Sequence, residues 1–277
     1  RPGTFSMVID CTTGRRKTVL NAPDGRHFYG HGAFSSDGSL LYTTENDFEA
    51  GRGRIGVWDV ANGYVRIAEW DSGGIGPHDI KRLPGTEWLV VANGGIDTHP
   101  DTGRTKLNIP TMRPNLTYVE YGQVIDQAEL PAELHKNSIR HLAVSSDGEV
   151  AFGMQWQGEG TPAALVGRQQ GGGEVQLMQS SPAVRRALAG YVGSIAYAED
   201  GRTIAVTSPR GGVVQRFDAE TVQHTETVAM EDVCGVAPLP TGFAVTSGTG
   251  ALCYLGGATL HATRHSSVMW DNHLVPI

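Results

Sequence analysis

At 277 residues, with 39% hydrophobic residues, 37 glycines and 14 prolines, the chain is long enough for a large core and is broken by turns throughout. No run approaches the roughly 18 apolar residues of a membrane-spanning helix, so no membrane span is expected, and no apolar segment with a charged leader opens the chain. A formal net charge of -7, with acidic and basic residues interspersed, lacks the basic block that a nucleic-acid backbone selects, and Cys11, Cys234 and Cys253 have neither metal-finger spacing nor the even count of a disulfide framework.

Residues 5–10 (FSMVID) and 16–23 (RKTVLNAP) are the first predicted strands. A unit then begins that recurs at intervals of about forty to sixty residues. Its opening segment ends in a glycine turn and is found at 30–38, 76–85, 138–148, 192–201 and 233–242. Each copy is followed by a β-branched or aromatic run, at 39–44, 87–93, 149–156, 202–208 and 242–247, of the kind that forms strands. Third runs follow at 53–63, 115–123, 212–221 and 251–259, and more polar fourth runs at 64–71, 124–131 and 224–231. The GGGEV segment at Gly171 is a hairpin turn, and Asp37, Asp147 and Asp200 form DG turns. The final WDNHLVPI is a sixth copy of the opening segment.

Four strands and then a repeat is the pattern of a propeller blade. The expected fold is all-β, a single β-propeller domain over residues 1–277. The chain opens on a third and fourth strand and ends on a first, so 1–24 and 268–277 are expected to be partial blades at the ring closure. Seven blades are expected in the parent protein, with the N-terminal part of the ring missing from this chain.

The motifs GRHFYGHGAFSSDGSLLYTTENDFEAGRG, SGGIGPHDIKRLPGTEWLVVANGGIDTHPDTGR, LNIPTMRPNLTYVE, HKNSIRHLAVSSDG, FGMQWQG, VTSPRGG and MWDNHLVPI resemble a bacterial family catalogued as domain of unknown function 1513. The resemblance covers nearly the whole chain. It implies an exported, periplasmic protein whose relatives carry a twin-arginine signal. It also implies a genomic setting beside imelysin-like and di-haem peroxidase-like proteins, hence a link to iron acquisition and periplasmic iron-uptake partners. No activity comes with it.

Aligned on the closing glycine, His31, His78 and His141 each lie seven residues before Gly38, Gly85 and Gly148, and His273 takes the same place in the last copy. Ser194 and Gly235 stand there in the other two copies. First strands line the channel of a propeller, so these histidines are expected at its mouth, where imidazoles bind a transition metal or small ligand, or titrate near neutral pH. The loops between second and third strands lie on the same face and add Glu45, Asn93, Trp156 and Arg210, while Asn137, Arg140, Asp271 and Asn272 flank the histidines and could orient them. The longest of these loops, about 94–113, has the length of a lid or binding element. Two readings of the repeated histidine stand side by side: a ligand site, or hydrogen bonding between neighbouring blades.

No GxSxG, GxxxxGK[ST], HExxH or CxxCH occurs, which leaves a serine-hydrolase elbow, a nucleotide loop, a zincin and covalent haem without support. The leading expectation is a binding or accessory protein holding a small molecule or metal at the histidine mouth. A metal-dependent, lactonase-like hydrolase, with Glu45 or Asp79 as acid or base, and an interaction scaffold with structural histidines are the alternatives.

Overall fold

A computed structural model describes residues 3–276. It opens on β1 (Phe5–Asp10) and β2 (Arg15–Asn21), a two-stranded antiparallel pair. Their turn is built by Asp10, whose carboxylate accepts from the Thr12 amide at 2.9 Å, and by Gly14 at φ 67°.

A four-stranded sheet follows, of β3 (Arg26–Phe34), β4 (Leu40–Asp47), β5 (Arg52–Asp59) and β6 (Val65–Asp71). The next contains β7 (Pro77–Arg82), β8 (Leu89–Asn93), β9 (Asn115–Glu120) and β10 (Gln123–Glu129). Then come β11 (Asn137–Val144), β12 (Val150–Trp156), β13 (Val166–Gln169) and β14 (Gln176–Leu177), closed by the short helix α1 (Pro182–Ala187). Another sheet holds β15 (Ser194–Tyr197), β16 (Thr203–Ser208), β17 (Val213–Asp218) and β18 (Gln223–Ala229). The last holds β19 (Val233–Pro238), β20 (Phe243–Ser247), β21 (Ala251–Gly256) and β22 (Thr259–His265). In every sheet the strands pair in chain order, which makes this a propeller-like all-β repeat.

The repeat is held by its turns and its central strands. At the first DG turn, Asp37 accepts from the Ser39 amide at 2.9 Å and the Ser35 hydroxyl at 2.7 Å, which holds its carboxyl at about 2, while Gly38 takes φ 71°. Asp200 repeats the device, accepting from the Arg202 amide at 2.9 Å beside Gly201. Central strands such as β8 are buried along their whole length, on both faces. Two compact units divide the chain, residues 1–140 and 141–276. In the first, Tyr42, Ile55, Val57, Ile80, Leu89, Val91 and Val119 form one core cluster. In the second, Ala205, Val214, Val233, Val236, Phe243, Val245 and Leu255 anchor another. A fully buried valine, leucine or isoleucine stabilises by about 1.5–3 kcal/mol, so these clusters outweigh any surface interaction.

Three segments differ from the sequence reading. Residues 270–276 form no strand, because no ladder lies beside them; Leu274 instead packs over Gly235, where an added Cβ would come within 2.8 Å of the Leu274 Cβ. Helix α1 stands in a stretch with no expected element, and its signal is local: Ser181 caps the helix by accepting from the Val184 amide at 3.3 Å, with a proline in the first turn. The long loop after β8 has internal structure, with 3-10 turns at Pro100–Thr102 and Ile109–Thr111. Asn108 pins it, accepting from the Asp97 amide at 2.7 Å and donating to the Gly95 carbonyl at 2.9 Å.

Candidate functional site

Two β-bulges position the histidines of the first unit. Between β3 and β4 the register passes from Phe28 opposite Glu45 to Gly32 opposite Thr43, so Tyr29, Gly30 and His31 share the space of Thr44. Gly30 makes the turn possible at φ 104°, and the Thr44 hydroxyl donates to the His31 carbonyl at 3.2 Å. Between β7 and β8 the register passes from Pro77 opposite Asn93 to Asp79 opposite Ala92, which lifts His78 out of the ladder. Bulges re-aim side chains in this way beside functional sites.

The result is a connected polar cluster. The His31 and His78 rings stand 5.1 Å apart between centroids, and His31 Nδ1 lies 3.2 Å from Asp79 Oδ1. The same Asp79 oxygen accepts from the Ile80 amide at 2.8 Å, with Lys81 Nζ at 3.8 Å. On the far side, Arg140 Nη1 donates to His78 Nδ1 at 3.3 Å. His78 and Asp79 are each 3% exposed. His31 turns Nδ1 toward Asp79, and His78 accepts at Nδ1 from Arg140. His31 also lines a cavity of about 250 Å³ with Met7, Val8, Phe28, Leu41 and Thr43.

In the second unit His141 and His273 form their own pair, with ring centroids 5.1 Å apart. Other expected residues gather on Tyr191, which the sequence reading missed. The Asn272 amide donates to the Tyr191 hydroxyl at 3.3 Å, the Arg210 guanidinium lies 4.4 Å over its ring, and its backbone bridges Gln155, beside Trp156. Trp156 itself donates its indole N–H to the Glu159 carbonyl at 3.1 Å. Tyr191 could have been found from its place just ahead of the fourth opening segment, next to the Ser194 position.

The two exceptions in the register are explained by packing. Ser194 accepts from the Val236 amide at 3.3 Å, a bond between neighbouring sheets. Gly235 sits in a third bulge, at the shift between Val233 and Val236, and the Leu274 contact leaves no room there for a side chain.

Glu45 and Asn93 are built into their sheets. Glu45 is 0% exposed, receives Arg66 Nη2 at 2.6 Å and the Thr43 hydroxyl at 2.8 Å, and lies where Gly56 has no Cβ. Burial pushes its carboxyl up, opposed by Arg66. Asn93 donates to the Ser72 carbonyl at 2.7 Å and to Asn115 at 2.9 Å, and accepts from the Ser72 hydroxyl at 2.9 Å. Of Glu45 and Asp79, the carboxylate that meets one of the repeated histidines is therefore Asp79.

No curated protein matches the chain. Among solved structures it is similar to the hydrazine synthase of Kuenenia stuttgartiensis, with 15% identity and a TM-score of 0.64 over 91% of this chain and 70% of that one. At that identity the likeness carries the fold alone. The family model described as "Protein of unknown function (DUF1513)" matches residues 1–277, and the chain belongs to that family.

Proposed function

We propose that this chain is a binding or accessory protein that holds a small polar ligand or a transition metal at the histidines of its bulged strands. The observation that carries the reading is the Asp79, His31, His78, Arg140 sequence of contacts, which gathers two imidazoles, a carboxylate and a guanidinium in one largely buried cluster. A carboxylate behind a histidine is also the arrangement that orients metal ligands and raises their basicity. The reading extends to the periplasm, to twin-arginine export and to a part in iron acquisition, for which the support is the family resemblance.

A second reading has its own observation: Asp79 and His31, 3.2 Å apart, are a carboxylate–imidazole dyad of the kind that acts as general base in a hydrolase. Native mass spectrometry and metal analysis of protein purified under mild conditions separate these outcomes. The expected result is a stoichiometric small-molecule or metal adduct that is lost in the His31→Gln, His78→Gln double variant while the unfolding midpoint stays within a few degrees. Protein without an adduct, or an adduct that survives the double substitution, would overturn the binding reading. Turnover of a lactone or ester that Asp79→Asn abolishes would favour the dyad.

A further inference from the structure

We infer that Arg210 is an oxyanion-binding residue, presented on Tyr191 to take the carboxylate or phosphate group of a small ligand. The loop between β16 and β17 is tied down at both ends. The Ser208 hydroxyl donates to the Leu188 carbonyl at 2.8 Å and accepts from the Gly211 amide at 3.1 Å. Gly211 is pressed against the Ala187 carbonyl at the end of α1, where no side chain would fit, and Pro209 is seated against Gly193 in the same manner. Arg210 thus springs from a fixed backbone. Its guanidinium then lies flat over a ring that is itself fixed, by Asn272 at the hydroxyl and by Gln155 along the backbone.

Arg210 combines a stacked guanidinium with the absence of a carboxylate partner, whereas Arg66, which lies over Trp58, is ion-paired to Glu45. Arg26, Arg54, Arg66, Arg168 and Arg216 are all consumed by carboxylates. Among the described residues, no carboxylate lies within ion-pair distance of Arg210, and its side chain is exposed. Stacking holds the plane of a guanidinium but leaves its N–H edge unused, and that edge matches two oxygens of a carboxylate or phosphate.

Every residue that holds Arg210 in place belongs to the second unit. Oxyanion binding by Arg210 is tested by titrating the full chain with inorganic phosphate and with citrate at constant ionic strength, following the side-chain N–H signals of labelled arginine by NMR. One arginine signal, missing in Arg210→Gln, is expected to shift saturably. Arg210→Lys keeps the charge and loses the planar fork, and is expected to weaken binding roughly tenfold. Tyr191→Leu removes the stacking surface and is expected to weaken it as well, whereas the His31→Gln, His78→Gln variant binds as the parent does. Equal shifts with chloride, or undiminished binding by Arg210→Lys, would overturn the proposal. Loss of the adduct in the histidine variant with phosphate binding intact would leave both readings standing separately.

Discussion

In the first unit the shared register position is occupied by His31 and His78, each on a bulge and each joined to a charged partner, Asp79 or Arg140. In the second unit the same register carries His141 and His273, but also Ser194 and Gly235, whose places are taken up by the Val236 amide and by Leu274. The bulge is present in both units, at His31, His78 and Gly235 alike. Backbone geometry therefore offers the position, and the neighbouring strand decides whether a functional side chain can use it. The sheets around these positions differ as well. The β3–β6 sheet is laced by Arg26, Asp47, Arg54, Glu69, Arg66 and Glu45, whereas the β15–β22 sheets meet through valine, phenylalanine and leucine.

Removing a member of that ionic lattice should produce the largest effect. Glu45→Ala leaves Arg66 and Thr43 facing a buried void, and breaking a buried pair costs about 3–5 kcal/mol. Urea unfolding should show that loss. A cost under about 1 kcal/mol would mean that Glu69, 2.9 Å from Arg66, compensates fully. In the second unit the matching test is steric. Gly235→Ala places a methyl group 2.8 Å from the Leu274 Cβ and 2.9 Å from the Thr246 hydroxyl, and overpacking of this kind costs about 1–3 kcal/mol. Hydrogen exchange should show residues 270–276 released. An unchanged exchange pattern would mean that this segment is held elsewhere, and the explanation of the missing histidine would fail.

The strands were legible because alternation, β-branching and DG turns are local signals, and FSMVID appears as β1 with its expected bounds. The equivalence of His31 and His78 was legible from their spacing to glycine. Arg140 as an orienting residue and Asp79 as acid or base were legible as candidates too, but which ring each meets was not, because the bulges that aim the rings leave little trace beyond a permissive residue such as Gly30. Glu45 and Asn93 were read as loop residues at strand ends, yet β4 runs on through Asp47, so that Glu45 lies within the ladder opposite Arg54. For WDNHLVPI the residues resemble a strand, but a strand needs a partner to pair with, and Leu274 finds Gly235 instead.

The smallest expected effect distinguishes the units by their response to acid. His27 on β3 is 6% exposed, stacked on Phe48 at 5.8 Å and edge-on to Tyr29, and its Nδ1 has no hydrogen-bond partner among the described residues. Burial lowers its pKa below the ordinary histidine value, and His99, edge-on to Phe48, lowers it further. His224 on β18 is also lowered by burial, but it is less enclosed and hydrogen-bonds Thr227 at 2.8 Å. For a base whose pKa is depressed by folding, the unfolded chain takes up the proton first as pH falls. Stability is therefore full above the ordinary value of about 6.5 and declines below it, until the folded state is protonated too. His27→Phe keeps the aromatic stack and removes this titration, so the drop in urea midpoint between pH 7.5 and 5.5 should shrink. His224→Phe should shrink it less. The reverse order would mean that the Thr227 contact, and not enclosure by aromatic rings, governs how much acid each unit tolerates.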